Sequence, residues 1–256
     1  MPDLPATPAE LLDAVRQHLK SLQAAGVEWL PNVTPPPGAS LFAEPTPAVA
    51  EPVDPLARRR VELKVLAERI SGCTRCSALA ATRTQTVFGV GPFDPELCLI
   101  GEAPGADEDA QGEPFVGPAG QLLNRILTAC GLLREQVYIC NILKCRPPKN
   151  RPPEVEEAEN CSEYLQRQLE LIRPKFICCL GGTAVKFLLN TSRSLGQMRQ
   201  QVHDYHGIPV VCTYHPSYLL PHRSPDPKVQ QERKKLVWDD MKFLLGRMGR
   251  VIPTKS

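Results

Sequence analysis

The sequence lacks the long apolar run that a membrane-spanning helix needs, and it has no basic segment at its start. No stretch approaches the roughly 18 consecutive apolar residues that cross a bilayer. The opening MPDLPATPAE contains no Lys or Arg, whereas a secretory leader begins with a positively charged stretch. The sequence therefore predicts neither a membrane protein nor a secreted one.

Cysteine and proline, in contrast, are abundant. The 256 residues include 27 prolines and 10 cysteines. A chain of this length can bury enough apolar surface to fold without disulfides, so the cysteines point towards metal binding. The length suits one generous domain, or one domain with a tail.

Charge is divided unevenly along the chain. The first 57 residues hold seven acidic residues against two basic ones, a net charge of −5. Since the whole chain carries +2, the remaining 199 residues carry +7. A basic body of this kind suits a polyanionic partner, although the same charge would also serve solubility.

The N-terminal region differs from the rest in composition. Residues 8–30 have leucines at roughly helical spacing and could form a short helix. Residues 31–55 contain eight prolines and almost no large apolar residues, so they cannot offset their ordering entropy and are predicted to be a disordered linker. We expect an acidic, proline-rich extension over residues 1–55 and a folded domain over 56–250.

In that domain, apolar runs typical of buried strands alternate with amphipathic helices. This alternation predicts an α/β fold with a mostly parallel, four-stranded sheet covered on both faces. Ligands bind such sheets outside the carboxyl ends of the strands, where GEAPG, Asn141 and His215 are expected. The strands are predicted at 97–105, 136–144, 175–182 and 208–217, and the helices at 117–131, 155–174, from 183 onward and at 225–247.

The ten cysteines separate into two groups by context. Six fall in apolar runs, where free cysteine behaves as a small hydrophobe: Cys98, Cys130, Cys140, Cys178, Cys179 and Cys212. The other four are Cys73 and Cys76 in a CxxC pair, Cys145, and Cys161. Four thiolates suit zinc or an iron–sulfur cluster, and spacing alone slightly favours zinc. A redox dithiol at the CxxC pair is a third, weaker hypothesis.

Several short motifs together resemble one known family. They are GEAPGADED (101–109), PFVGPAG (114–120), NILKC (141–145) and YHPSYLL (214–220), accompanied by the four grouped cysteines. In this order and spacing, across residues 72 to about 245, they resemble the family 4 uracil-DNA glycosylases. The resemblance implies a three-layer α/β/α fold. It also implies a [4Fe–4S] cluster on Cys73, Cys76, Cys145 and Cys161, which replaces zinc as the expected metal.

The reaction implied by the resemblance is hydrolysis of the bond between uracil and deoxyribose, after the base has left the helix. Asn141 would recognise the Watson–Crick edge of uracil, and Phe115 would stack on the base. The backbone N–H of Ala103 would bind it, and His215 would donate to its O2 atom. Glu102 is expected to position water or to stabilise the sugar, with Glu108 as the second candidate.

The resemblance also assigns a DNA-binding surface. Lys144, Arg146, Lys149 and Arg151 lie within eight residues and are expected to contact phosphates. Ser217 is expected to contact DNA as well, and Leu219 or Leu220 to fill the space that the base leaves. We expect a monomer that acts on uracil-containing DNA, single- or double-stranded, in the reducing cytoplasm of a bacterial or archaeal-type cell.

Two functions of other classes use some of the same residues. A non-enzymatic metalloprotein that binds nucleic acid would need the basic loop and the cysteines, but not Asn141 or His215. An iron–sulfur electron carrier would need only the cysteines and would show no dependence on uracil. Neither explains why Glu102, Phe115, Asn141 and His215 occur together in this order.

Overall fold

The structure, a computed structural model, describes residues 7–26, 54–223 and 226–251, which belong to two units, Met1–Pro52 and Val53–Ser256. The first unit contains helix α1 (Pro8–Ala24), which begins with a capping box between Thr7 and Glu10. The side chains of Leu12, Val15 and Leu19 on α1 are exposed. Most of the predicted 31–55 linker lies outside the described residues.

The second unit begins with helix α2 (Pro55–Ser71). Asp54 caps it by accepting a hydrogen bond from the backbone N–H of Leu56. Leu66 and Ile70 of α2 are buried against Tyr164 and Leu171 of helix α6 (Val155–Ile172). The short helix α3 (Ser77–Thr82) follows, with Cys76 as its N-cap residue.

The centre of this unit is a sheet of five strands in the order β2-β1-β3-β5-β4. Strands β1, β2, β3 and β5 are parallel and correspond to the four predicted strands. The fifth, β4, pairs antiparallel with β5 at the edge, so the predicted count of four was one too low. The strands are β1 (Leu97–Gly101), β2 (Tyr138–Asn141), β3 (Phe176–Leu180), β4 (His203–Tyr205) and β5 (Ile208–Thr213).

Alternate residues of the parallel strands face opposite layers, which confirms the α/β fold. On one face, side chains such as Cys98, Cys140 and Cys179 pack with helix α6 and helix α7 (Gly182–Leu188). On the other, Leu99, Ile139 and Val211 pack with helices α5 (Pro118–Ala129) and α9 (Pro227–Arg247). Two shorter helices complete the unit, α4 (Ala106–Gln111) and α8 (Leu195–Met198). None of the described helices is long and apolar enough to cross a bilayer.

The carboxyl ends of the parallel strands meet at one edge of the sheet. Gly101 ends β1 beside Asn141, which ends β2, and the two are register partners. β5 ends at Thr213, two residues before His215. The loops that leave these strand ends therefore supply the walls of a shared pocket, as ligand sites in parallel sheets generally do.

Candidate active site

A pocket of about 510 Å³ lies at this edge of the sheet. It is lined by most of the residues that the sequence singled out, among them Glu102, Ala103, Glu108, Phe115, Asn141, His215, Ser217 and Leu220. The structure thus brings together side chains that are more than a hundred positions apart in the chain. This volume lies within the usual range of small-molecule sites.

Asn141 forms the floor of the pocket. Its side chain is only 2% exposed, and its Oδ1 atom has no hydrogen-bond partner among the described residues. Burying a carbonyl oxygen without a donor costs about 1–3 kcal/mol. Such a cost is common at binding sites, where the missing donor is supplied by the ligand.

Gly101 makes room for this floor, a role that the sequence motif did not reveal. A Cβ atom on Gly101 would collide with the side-chain oxygen of Asn141 and with the ring of Phe115. Any larger residue at the end of β1 would therefore displace two pocket side chains. A glycine that ends a buried strand beside a polar residue is the sequence signal that could have indicated this close approach.

Phe115 forms one wall and is held in a strained backbone conformation. Its φ angle is +54°, in the left-handed region, which costs a non-glycine residue ~1–2 kcal/mol. Arg134 holds this turn, because its guanidinium donates to the carbonyls of Pro114 (2.6 Å) and Phe115 (3.2 Å). The Phe115 ring centroid lies 5.4 Å from that of His215, so the two rings face the same space.

His215 follows β5 and is a neutral imidazole. The backbone N–H of Ser217 donates to its Nδ1 atom (3.2 Å), and the Ser217 hydroxyl lies 2.8 Å from the same atom. Since Nδ1 is an acceptor, the ring proton lies on Nε2. Burial lowers the pKa of His215 to about 4, only partly opposed by the nearby Glu108 carboxylate. The pocket therefore holds an N–H donor without a full positive charge.

The two candidate carboxylates lie in different environments. Glu108 accepts three backbone N–H bonds, from Gly105, Val116 and Gly117, at 2.9–3.0 Å. These bonds tie the GEAPG turn to the loop that carries Phe115, so Glu108 supports the pocket and its oxygens are already engaged. The Glu102 side chain is partly exposed in the pocket and makes no hydrogen bond with the described residues. Asp107, which the sequence analysis missed, is exposed at the pocket rim.

The predicted basic surface is only partly exposed. Lys149 is exposed, and Arg146 is partly exposed and donates to Asn150 at 2.8 Å. Arg151 forms a two-pronged ion pair with Glu157 (2.6 and 2.8 Å), which neutralises much of its charge. Lys144 contradicts the prediction of a phosphate contact, because its side chain is 1% exposed and its ammonium binds atoms of the protein interior.

The two leucines of the YHPSYLL motif differ in exposure. Leu219 is 5% exposed and belongs to the core that packs α5 and α9 against the sheet, so it cannot be inserted into DNA. Leu220 is partly exposed and lines the pocket. Of the two predicted candidates, only Leu220 has an accessible side chain at the pocket.

The four grouped cysteines come from three separate segments. Cys73 and Cys76 lie half-buried between α2 and α3, while Cys145 follows β2 and Cys161 lies on α6, both buried. Burial raises the pKa of Cys161 to about 11, and charges on Cys145 and Cys76 add to this rise. Burial likewise raises the pKa of Cys145, with contributions from Cys73 and Cys76. Arg83 donates both to the Cys73 carbonyl (2.6 Å) and to the Cys145 sulfur, so these two segments lie close together.

Hydrogen-bond donors already face two of these sulfurs. An Arg83 N–H lies 3.1 Å from Cys145 Sγ, and the Asn160 amide lies 3.6 Å from Cys76 Sγ. Donors of this kind stabilise thiolates, so the residues present fit a thiolate-bound metal group. Among the described residues, no three His, Cys, Asp or Glu side chains converge on the position of a single ion. The other six cysteines are buried in the core, as predicted.

Comparison with known proteins agrees with this geometry. Residues 88–242 match the family model described as the uracil DNA glycosylase superfamily. The chain is 41% identical over 181 residues to a type-4 uracil-DNA glycosylase of Thermotoga maritima, covering 70% of this chain and 91% of that protein. It is 46% identical over 163 residues to one of Archaeoglobus fulgidus, covering 60% and 81%. A type-5 uracil-DNA glycosylase of Pyrobaculum aerophilum is less similar, with 30% identity over 183 residues.

Proposed function

The chain belongs to the uracil-DNA glycosylase superfamily, and we propose on that premise that its pocket receives uracil flipped out of DNA. The protein is a uracil-DNA glycosylase, a DNA-repair hydrolase that leaves an abasic site. One observation carries the assignment of the pocket. The buried oxygen of Asn141, unpartnered among the described residues, belongs to a pocket that Phe115 and His215 also line.

Uracil fits the polar groups of this pocket and cytosine does not. The N3–H of uracil can donate to Asn141 Oδ1, and the amide of the same side chain can donate to uracil O4. Cytosine presents an acceptor at N3 and an amino donor in place of O4, so it would leave Asn141 without a matching partner. Phe115 stacks on the base, and the backbone N–H of Ala103 binds it from the opposite loop.

The chemistry requires stabilisation of two developing charges. As the C1′–N1 bond breaks, its electron pair passes to uracil, and the Nε2–H of His215 donates to O2 of the resulting anion. Positive charge develops at C1′, where the oxygen of a water molecule then forms the new bond, and the proton that this water loses ends on the uracil anion, which leaves as neutral uracil. Glu102 is the carboxylate that positions this water and offsets the positive charge, because its oxygens are not engaged elsewhere.

DNA is held by groups around the pocket mouth. Arg146 and Lys149 contact phosphates on one side, and Ser217 does so on the other. Arg151 is already paired with Glu157, so it helps to orient the DNA more than it attracts the DNA by its charge. Leu220 enters the space of the displaced base. We propose that the protein acts as a monomer.

We expect the wild-type protein to excise uracil from a fluorescent oligonucleotide and to leave otherwise identical cytosine and thymine strands intact. The measurement is strand scission after alkali, on single-stranded and duplex DNA, with Phe115→Ala as the variant of the pocket wall. Stacking is worth ~1–3 kcal/mol per base, so this variant should lose roughly 10- to 100-fold in activity. DNA binding without scission at uracil would contradict the enzymatic function and favour a binding module.

A [4Fe–4S] cluster is the second part of the proposal. Cys73, Cys76, Cys145 and Cys161 would hold it, and when bound it would cross-link the α2–α3 segment, the end of β2 and helix α6. This cross-link would hold the Arg146–Arg151 loop in position. The ten free thiols also favour a reducing compartment such as the cytoplasm.

Replacing a single thiol should remove the cluster. We expect purified protein to be brown and to contain about four irons per chain, and Cys161→Ser to lose the broad visible absorbance together with its iron. Cys130→Ser is the matched control, because Cys130 is equally buried but lies in the opposite layer of the core. Equal iron content in the two variants would contradict the ligand assignment.

The division of the chain is also part of the proposal. Every pocket residue and every thiol of the cluster lies between Cys73 and Pro221. We assign the glycosylase domain to residues 56–250 and regard residues 1–55 as an acidic, proline-rich extension outside the chemistry.

A further inference from the structure

Arg134 does not line the pocket, but it is hydrogen-bonded to the turn that forms one of the pocket walls. It begins the short 3-10 segment Arg134–Gln136, which lies between α5 and β2. Its guanidinium donates to the carbonyls of Pro114 (2.6 Å) and Phe115 (3.2 Å), and to the side-chain oxygen of Asn124 on α5 (3.2 Å). In the described part of the chain, its hydrogen bonds therefore all go to neutral oxygens, two of them backbone carbonyls of the turn.

The turn needs such support because its backbone conformation is unfavourable. Phe115 has a φ angle of +54°, and its carbonyl packs so closely on α5 that a Cβ atom on Gly120 would overlap it. Non-glycine residues persist in this left-handed region only where the surrounding structure holds them there. If the bond to its carbonyl were lost, we expect Phe115 to relax towards a negative φ. Its ring would then leave the position facing His215.

A second charged group holds the same turn from the other side. The Glu108 carboxylate accepts from the backbone N–H groups of Val116 (2.9 Å) and Gly117 (3.0 Å). The peptide group between Phe115 and Val116 is thus bound at its carbonyl by a cation and at its N–H by a carboxylate. Hydrogen bonds to charged groups are stronger than those between neutral groups. Glu108 also lines the pocket, whereas Arg134 does not, so the effect of Arg134 on the turn can be tested separately.

We propose that Arg134 is a positioning residue for uracil excision: it holds the strained Phe115 turn in the conformation in which the ring forms the pocket wall and stacks on the base. This inference rests on the proposed function, since it needs Phe115 to stack on uracil. It extends the uracil site to a side chain that touches neither the base nor the sugar.

The test combines Arg134→Met with Phe115→Ala in a double-mutant cycle. Methionine keeps much of the aliphatic bulk and removes every donor. We expect Arg134→Met alone to lower the single-turnover rate of uracil excision roughly 10-fold or more, towards the loss expected for Phe115→Ala. In the Phe115→Ala background the same change should cost less than about 2-fold, because no ring is left to position. The salt dependence of DNA binding should stay as in wild type, because the guanidinium binds carbonyls and not phosphates.

Arg59→Met is the matched control for general damage. Arg59 is also partly buried and donates to a backbone carbonyl, that of Leu171 (3.0 Å), while pairing with Asp94. Its loss should lower the free energy of unfolding and leave excision near the wild-type rate. If Arg134→Met does not fold, Arg134→Lys keeps the charge but loses the planar fork that reaches both carbonyls. Its loss of activity should likewise disappear in the Phe115→Ala background.

Four results would overturn the inference while wild type excises uracil and Phe115→Ala is impaired. They are a wild-type rate in Arg134→Met, an equal loss from this change with and without Phe115, an equal loss in Arg59→Met, and a reduced salt dependence of DNA binding in Arg134→Met. If wild type does not excise uracil, the proposed function fails instead. If Phe115→Ala is fully active, the stacking role fails, and the inference fails with it. The same set of samples distinguishes these failures.

Discussion

Asn141→Ala should reduce kcat/KM for uracil-containing DNA by roughly 1,000-fold or more, the range expected when a site built on buried hydrogen bonds loses them. In the proposed function, Asn141 offers both the acceptor for N3–H and the donor for O4 of uracil. The alanine variant would hold uracil by stacking and shape alone. Discrimination between uracil and cytosine should fall together with the rate, because the same amide group both binds uracil and rejects cytosine.

The fold should be far less sensitive than the activity to this change. In the free protein the buried Oδ1 of Asn141 is unpartnered, and removing an unsatisfied oxygen recovers ~1–3 kcal/mol. This gain offsets the cavity left by truncation. We expect the free energy of unfolding to change little, which chemical denaturation of the same samples would measure.

Asn150→Ala is the matched control for the first prediction. Asn150 also lies at the pocket, but it is exposed, and its side-chain oxygen accepts a hydrogen bond from Arg146. Its loss should alter DNA binding by no more than a few-fold and leave base discrimination intact. Equal effects of the two alanine variants on discrimination would show that Asn141 is not the group that recognises the base.

The parallel core could be predicted from the sequence because its strands are continuous apolar runs. A strand buried on both faces needs apolar residues at every position, and that pattern is visible without a structure. β4 (His203–Tyr205) was missed for the complementary reason. It is three residues long, polar, and lies at the exposed edge of the sheet, where neither burial nor alternation leaves a signal.

The site was harder to predict where neighbours in sequence have opposite exposures. Lys144 and Lys149 belong to the same basic run, yet one is buried behind the pocket and the other is in solvent. Leu219 and Leu220 divide in the same way between core and pocket. The sequence shows whether a loop residue is charged or apolar, but tertiary packing decides whether that residue faces the core or the solvent.

The roles of Glu102 and Glu108 show the same limit. Both carboxylates follow β1 within one motif, and nothing in their spacing distinguishes them. The distinction comes from the backbone N–H groups of Val116 and Gly117, which approach Glu108 only because the Phe115 loop folds back over α4. Distant backbone groups, invisible in a local motif, decide which carboxylate is available.

His215→Ala should lower kcat by roughly 100- to 1,000-fold, the usual cost of losing one donor to a developing anion. KM should change little, because the donor acts chiefly as negative charge appears on uracil. His206→Ala is the control, since His206 is exposed in the β4–β5 turn. A change in KM with kcat preserved would instead indicate that His215 only binds the ground state.

The pH dependence tests the protonation state of the same ring. Burial holds the pKa of His215 at about 4, so the ring stays neutral, with Ser217 N–H bound to Nδ1, well below pH 6.5. We expect the His215-dependent part of kcat to remain level from pH 8 to about 5. An inflection near pH 6.5 that is absent in His215→Ala would contradict this account.

The free energy of unfolding should also depend on pH between about 4 and 6.5, because the unfolded chain takes up a proton on His215 at a higher pH than the folded protein does. An unfolded histidine takes up a proton near its ordinary pKa of 6.5, whereas the folded His215 does so only near 4. The unfolded chain therefore binds more protons between these values, and acid favours unfolding there. Wild type should lose stability as the pH falls from 6.5 towards 4, and His215→Ala should lose less over that interval. Parallel stability curves for the two proteins would show that the ring is solvated, and the neutral donor assigned to the pocket would then be wrong.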